Sequence, residues 1–294
     1  MDDLAASFEQ LRAHLLRVAY GTLGSLSEAE DVVQEAWLRL QRADSGQIES
    51  LRAWLTTVVA RLSLDALQAA RRRREDYVGQ WLPEPLVERL DGEENAECVN
   101  LDESVATALL VVLERLSPAE RMAFLLHDVF AMPFEEVAEV VGRSPAAVRQ
   151  LAVRARHHVE AKRPRFPASA EEQERIVIAF TGACQEGDLE GLLQLLDPSV
   201  VFRSDGGGHV PAARFPLEGG ERVARALLAL DRKRRRAGRE IRGVAGRVNG
   251  LPGLVYHEGE TLNVLSFTID AGRIVALDVV RNPDKLRHVR LPVG

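Results

Sequence analysis

The apolar residues of this chain keep one period in its first half and a different one near its end, and that change limits the folds open to it. From Ser7 to Arg74 they recur at helical spacing. Phe8, Leu11, Leu15, Val18 and Ala19 form one stripe, and Ala29, Val32, Val33, Ala36, Trp37 and Leu40 a second. A third segment, Leu51 to Arg74, turns from apolar to basic along its length. Another helical block runs from about Leu101 to Lys162. Beyond it "EEQERIVIAFTGACQEGDLEGLLQLL" predicts two more helices, with Asp188 as the N-cap of the second. Strand-like runs then follow: "IRGVAGRV", "GLVYHE", "LNVLSFTID" and "RIVALDVVR", the last two joined by an Ala-Gly hairpin turn. Helices followed by an antiparallel run predict an α+β domain. The chain thus reads as multidomain: a helical domain over 1–74, a linker over 75–101, a second helical domain over 102–163 and an α+β domain over 170–294.

Composition bounds the function classes. With 46% hydrophobic and 28% charged residues among 294, the chain can bury cores and is not a disordered protein. The acidic start "MDDLAASFEQ" lacks the basic and apolar regions of a signal peptide, and no apolar run reaches the roughly 18 residues of a membrane span. Cys98 and Cys184 are isolated. These features predict a reduced, cytoplasmic protein that makes no membrane contact and needs no cofactor or metal. A net charge of −6 argues against a wholly basic nucleic-acid coat but leaves room for basic patches.

The sharpest local signal is "MPFEEVAEVVGRSPAAVRQLAVRARHHV", Met132 to Val159. Phe134, Val137, Ala138 and Val141 make the apolar side of a short helix that Gly142 can end in the left-handed conformation. Ser144 is an N-cap, with Pro145 at the first helical position, where its missing N–H costs nothing. Val148, Leu151, Ala152, Ala155 and Val159 form the inner side of the next helix. Helix, tight turn, helix is the plan that sets a second helix into the major groove. Ala147, Gln150, Arg154 and His157 share its outer face, and Arg149 and Arg156 flank them on the phosphate side. Further upstream, Asp31, Gln34 and Glu35 are spaced to form one polar, acidic helix face. Arg61 and Arg71, Arg72, Arg73 and Arg74 supply the basic charge of the third helical segment. Trp54 reads as core.

With these residues in place, a resemblance emerges. "AEDVVQEAWLRL", "RAWLTTVVARLSLDAL" and "LSPAERMAFLLHDVFAMPFEEVAEVVGRSPAAVRQLAVRARHHV" resemble regions 2 and 4 of bacterial extracytoplasmic-function (ECF) sigma factors, over about residues 7–162. The resemblance implies that Asp31, Gln34 and Glu35 dock on the clamp helices of the largest subunit of RNA polymerase core. It implies that the Leu51–Arg74 helix and the preceding "QRADSGQIES" open and read the −10 promoter element. The helix-turn-helix would read the −35 element. The tail is similar to the SnoaL-like group, whose cone-shaped, NTF2-like fold is shared with ketosteroid isomerases and polyketide cyclases. Together "YVGQWLPEPL", "SDGGGHVPAAR" and "NPDKL" resemble the sigma-factor subgroup that carries such an extension. This implies a tail that regulates from within the chain, in place of a separate membrane anti-sigma partner.

Tyr77, Trp81, Pro83 and Pro85 make the linker stiff and amphipathic, a segment that loses little entropy on docking. Its expected counterpart is the pair of loops carrying Asp205, Gly206, Gly207 and Gly208, and Asn282, Pro283, Asp284, Lys285 and Leu286. The three glycines lack the following GK[ST] of a nucleotide loop, and a turn capped by Asp205 is the preferred reading over an acid–base pair with His209. "DRKRRRAGR", Asp231 to Arg239, reads as a solvated helix end, with contact to DNA phosphate the minor alternative. The leading reading is therefore a non-enzymatic initiation factor that binds RNA polymerase core and promoter DNA. The alternative is an isomerase- or cyclase-type enzyme, or a ligand sensor, fused to a DNA-binding head. Asp205, His209, His257 and Asp278 are the candidate acids and bases, and a small-molecule ligand of the tail is left open.

Overall fold

Three amphipathic helices open the chain in the computed structural model, which describes residues 2–44, 46, 48–75, 77–88, 107–162, 164 and 166–289. They are α1 (Asp2–Leu23), α2 (Leu26–Arg42) and α3 (Leu51–Glu75). Each packs on the other two. Leu15, Val18 and Ala19 of α1, Ala29, Val33, Ala36 and Leu40 of α2, and Leu55, Val59 and Ala60 of α3 are buried. The start of α2 is set by Ser25, whose hydroxyl accepts from the Glu28 N–H at 3.4 Å.

The described residues divide into two compact units. Residues 2–75 and 109–162 make the first, so these three helices share a unit with α4 (Thr107–Leu113, from Leu109), α5 (Pro118–Phe124), α6 (Phe134–Val141) and α7 (Pro145–Glu160). A π-helical turn, Leu125–Val129, extends α5. Helix α3 packs against both α5 and α6. At the centre of this contact Arg121, 1% exposed, binds Glu114 and donates to the Gly21 carbonyl at 3.2 Å. Arg74 binds the other oxygen of Glu114 and donates to the Leu23 carbonyl at 2.8 Å.

The second unit, residues 77–88, 107–108 and 164–289, is α+β. Its elements are α8 (Ala170–Glu186), α9 (Leu189–Leu195), β1 (Leu196–Asp205), β2 (Leu217–Glu218), α10 (Gly220–Arg236), β3 (Ile241–Val248), β4 (Leu251–Glu258), β5 (Thr261–Asp270) and β6 (Arg273–Val280). Asp188 caps α9, accepting from the Gly191 N–H at 2.9 Å. Asn249-Gly250 and Ala271-Gly272 link their strands with both residues at positive φ, the turn whose twist matches a hairpin. The strand order is β2-β1-β6-β5-β4-β3. One face of the sheet buries Leu265, Phe267, Ile269, Ile274, Leu277 and Val279 against Ile176, Val177 and Phe180 of α8, Leu192 of α9, and Val223, Ala224 and Leu228 of α10.

The expected cone-shaped, NTF2-like closure is corrected here: the sheet is open. Its two edges are β2 and β3, which do not pair. Closure requires every strand to find a partner on both sides, and β2 is only two residues long. The outer edge of β3 is engaged instead by chain from before the tail. Val87 bridges Val248, Glu88 N–H donates to the Arg247 carbonyl at 3.1 Å, and Asn249 N–H donates to the Leu86 carbonyl at 2.7 Å. No described helix is long and apolar enough to cross a membrane.

Candidate nucleic-acid interface

The second helix of the helix-turn-helix is built as a platform. Gly142 ends α6 at φ 67°, ψ 38°, where a Cβ would be strained. The Ser144 hydroxyl then accepts from Ala147 N–H at 3.3 Å to start α7, with Pro145 in its first turn. Val148, Ala152, Ala155 and Val159 turn inward and are buried. Gln150, Arg154 and His157 are exposed on the opposite side, and Ala147 is half-buried.

The arginines of α7 are engaged with acids of the same unit. Arg149 reaches Glu135 at 3.2 Å and lies 5.3 Å from the centre of the Phe134 ring. Arg154 reaches Glu120 at 3.0 Å, and the Arg156 Nε reaches Asp128 at 2.9 Å. Glu120 also closes a capping box with Ser117 at the start of α5. Burial opposes its ionisation, but hydrogen bonds from Ser117 and Arg154 outweigh that and hold the carboxyl below its usual range. The three arginines remain about half exposed, at 55%, 57% and 43%. The Arg149–Glu135 pair is exposed on both sides and contributes about 0–1 kcal/mol, so exchanging that carboxylate for a phosphate costs little, whereas Glu120 and Asp128 are only 21% and 18% exposed.

Asp31 and Gln34 stand exposed on α2, while Glu35 is half-buried and pairs with Arg39 at 3.0 Å. On α3, Arg61 donates to the Glu139 carbonyl at 3.4 Å, and Arg71 is exposed. Arg72 and Arg73 lie in the helix, but their side chains fall outside the described residues, as does Cys98. Arg74 is turned inward onto Glu114, with its side chain 15% exposed. Burial comes first in lowering its pKa from the usual arginine value, against the pull of Glu114.

The second cluster gathers on Asp205, which is fully buried at the end of β1. Its carboxylate accepts four hydrogen bonds, two per oxygen. Oδ1 takes the Tyr77 hydroxyl at 2.6 Å and the Gly207 N–H at 3.0 Å. Oδ2 takes the Leu82 N–H at 2.9 Å and the Lys285 ammonium at 2.7 Å. Lys285 lies 4.0 Å from the centre of the Trp81 ring and donates to the Leu82 carbonyl. Asn282 donates to the Tyr77 oxygen at 2.9 Å and caps the short turn Pro283–Lys285 through the Asp284 N–H at 3.0 Å. A Cβ on Gly207 would fall 2.3 Å from the Asn282 side chain, so only glycine admits this approach. On Gly206 it would meet the Val210 carbonyl at 2.2 Å, whereas Gly208 has Val78 at 3.2 Å.

Leu82, Pro83, Glu84 and Pro85 are buried, as is Leu286, and Trp81 is partly buried. The His288 ring donates to the Pro85 carbonyl at 2.9 Å. Burial, then the Asp205 carboxylate on its hydroxyl, pushes the Tyr77 phenol well above its usual pKa.

Of the remaining acid–base candidates, Asp278 and His209 are engaged with other side chains. Asp278, 1% exposed, receives Arg203 through two nitrogens at 2.5 and 3.1 Å, and His209 faces Asp284 at 3.0 Å on the surface. His257 lies half-buried on β4. Sequence reasoning missed Arg203, Gln80 (to the Ala213 carbonyl at 2.9 Å) and Asn249. The Asn-Gly pair at 249–250 was the one available signal, a hairpin turn between two alternating runs.

The two helical modules match known promoter-factor regions. Residues 8–73 match Sigma-70 region 2 and residues 106–159 match Sigma-70, region 4. The resemblance extends through the tail. The ECF RNA polymerase sigma factor SigJ of Mycobacterium tuberculosis is 42% identical over 95% of this chain and 92% of its own length. The probable ECF RNA polymerase sigma factor SigI of the same organism is 36% identical, covering 100% of this chain and 98% of that one. The crystal structure of M. tuberculosis SigJ aligns at a TM-score of 0.79 and 40% identity, covering 96% of this chain and 98% of that one. This chain belongs to the ECF RNA polymerase sigma factors. It is a transcription initiation factor that directs promoter recognition through its region 2 and region 4 modules, in partnership with core polymerase.

Proposed function

We propose that the division of labour follows the modules, with region 2 in 1–74, the connecting segment in 75–101, region 4 in 102–163 and a regulatory tail in 170–294. Asp31, Gln34 and Glu35 form the face for the clamp helices of the core. The exposed Arg61 and Arg71, with Arg72 and Arg73, serve the −10 element. Gln150 and Arg154, flanked by Arg149 and Arg156, read the −35 element, and Ser144 and Ala147 set the start of that helix.

The tail regulates initiation in cis by holding the segment that joins the two DNA-reading modules. The observation that carries this reading is the fully occupied Asp205 carboxylate, whose partners Tyr77 and Leu82 belong to that segment and whose partner Lys285 belongs to the tail. Two sites that must engage −10 and −35 elements together need a controlled separation, and a gripped connector limits it.

Run-off transcription with core polymerase tests this, using the unsubstituted, tail-deleted, Trp81→Ala and Lys285→Ala proteins. The two point variants release the same contact, so both are expected to shift transcription in the same direction as tail deletion. Unchanged transcription in both would reduce the segment to a tether. Gln150→Ala is expected to weaken −35 recognition by about 1–3 kcal/mol at one base position, against other sequences in the same footprint. Asp31→Lys with Glu35→Lys should abolish co-elution with core while leaving helicity intact.

A further inference from the structure

The strongest surface that the sigma-factor reading leaves unassigned is the outer side of α10. Val223, Ala224 and Leu228 turn inward. Arg222, Arg225, Ala229, Arg232, Lys233 and Arg236 are all exposed. At 3.6 residues per turn these six positions fall within an arc of about 100°. From Arg222 to Arg236 the stripe is about 21 Å long, the rise of about six base pairs. The acids of the helix are used locally: Glu221 holds Arg225 at 2.7 Å, and Asp231 holds Arg234 and, at 2.6 Å, Arg235. Arg222, Arg232, Lys233 and Arg236 form no ion pair with a described carboxylate.

The helix dipole accounts for cations in the last turn, where the C-terminal end is negative. It disfavours Arg222, which sits in the first turn at the positive end. The stripe is therefore complementary in charge and shape to a partner outside the helix that is anionic along a line. We propose that α10 is an additional DNA-contacting surface that lies along the phosphate backbone of duplex DNA and contributes affinity without reading sequence. Arginine side chains match phosphate with two donors, and the small Ala229 lets a backbone approach the middle of the stripe.

The inference rests on the chain engaging promoter DNA, and one titration separates the two claims. Anisotropy of a labelled promoter duplex and of a scrambled duplex is followed between 50 and 200 mM salt (roughly the range over which phosphate contacts are lost), with the full-length protein free and bound to core. For Arg232→Gln/Lys233→Gln/Arg236→Gln, affinity at the lowest salt should fall at least about tenfold on both duplexes. The slope of log K against log salt should flatten by about 2–3, near 0.9 per phosphate contact. Arg222→Gln alone, which removes no favourable dipole contact, should flatten it by about 0.9 and keeps the test decisive if the triple variant misfolds. An unchanged slope overturns the proposal. So does a loss confined to core binding, which would assign the stripe to the polymerase. The preference of the unsubstituted holoenzyme for promoter over scrambled duplex, read in the same titration, reports separately on the promoter reading.

Discussion

The helical unit and the tail unit each contain a buried ionic cluster, and the two are built differently. Around Glu114 two guanidinium groups converge on one partly exposed carboxylate, Glu28 also attracts Arg74, and the Arg121 Nε makes no hydrogen bond. Around Asp205 every acceptor position is filled, and only one of the four donors is charged. Burying charge is favourable only when geometry and hydrogen bonds replace the lost water. By that criterion the tail cluster is a specific lock on one segment of chain, whereas the Glu114 cluster is a looser contact between helices.

The comparison is open to direct attack. The largest effect is expected for Asp205→Ala, which strands the buried Lys285 ammonium and two backbone N–H groups. The unfolding free energy of the full-length protein should fall by about 3–5 kcal/mol in urea titrations. A loss below about 1 kcal/mol would show that the four hydrogen bonds are not a lock. Glu114→Gln should cost less, about 2–3 kcal/mol, because the carboxylate is partly solvated and the amide oxygen still accepts. If it costs more than Asp205→Ala, the ranking of the two clusters is reversed.

A smaller, pH-dependent effect belongs to the helical unit alone. His14 lies against Thr56 at 3.2 Å and edge-on to Phe130, and burial, then Arg52 and Arg17, lowers its pKa from 6.5 to about 4. The unfolded chain binds this proton more readily than the folded one, so the stability it contributes is present above pH 6.5 and is lost as pH falls towards 4. Thermal melts across that window should show a decline that His14→Gln flattens. The least effect is expected for Glu120→Gln, which weakens a capping box and a partly exposed pair with Arg154, for about 1 kcal/mol or less by melting temperature.

Much of this molecule is written locally, and there the sequence suffices. Gly142, Ser144 and Pro145 specify the turn and the start of α7 because the capping groups lie within three residues of the N–H groups they satisfy. Asp188 and the Ala271-Gly272 turn are legible for the same reason. Helical periodicity identified the inner face of α7, apart from Leu151, which is half-buried. What crosses long stretches of chain was decided by tertiary structure. The runs after residue 240 do form an antiparallel series, β3 to β6, whereas β1 joins it in parallel with β6, and no local pattern distinguishes that partner from a nearer one. The openness of the sheet follows from a two-residue β2 and from Leu86–Glu88 lying on the edge of β3, both properties of the assembled fold. Arg71 and Arg74 are chemically identical in the sequence, yet one faces solvent and the other is turned onto Glu114, forty residues away. Side-chain type states what an atom can bind, and only the closing of long loops brings its partner within reach.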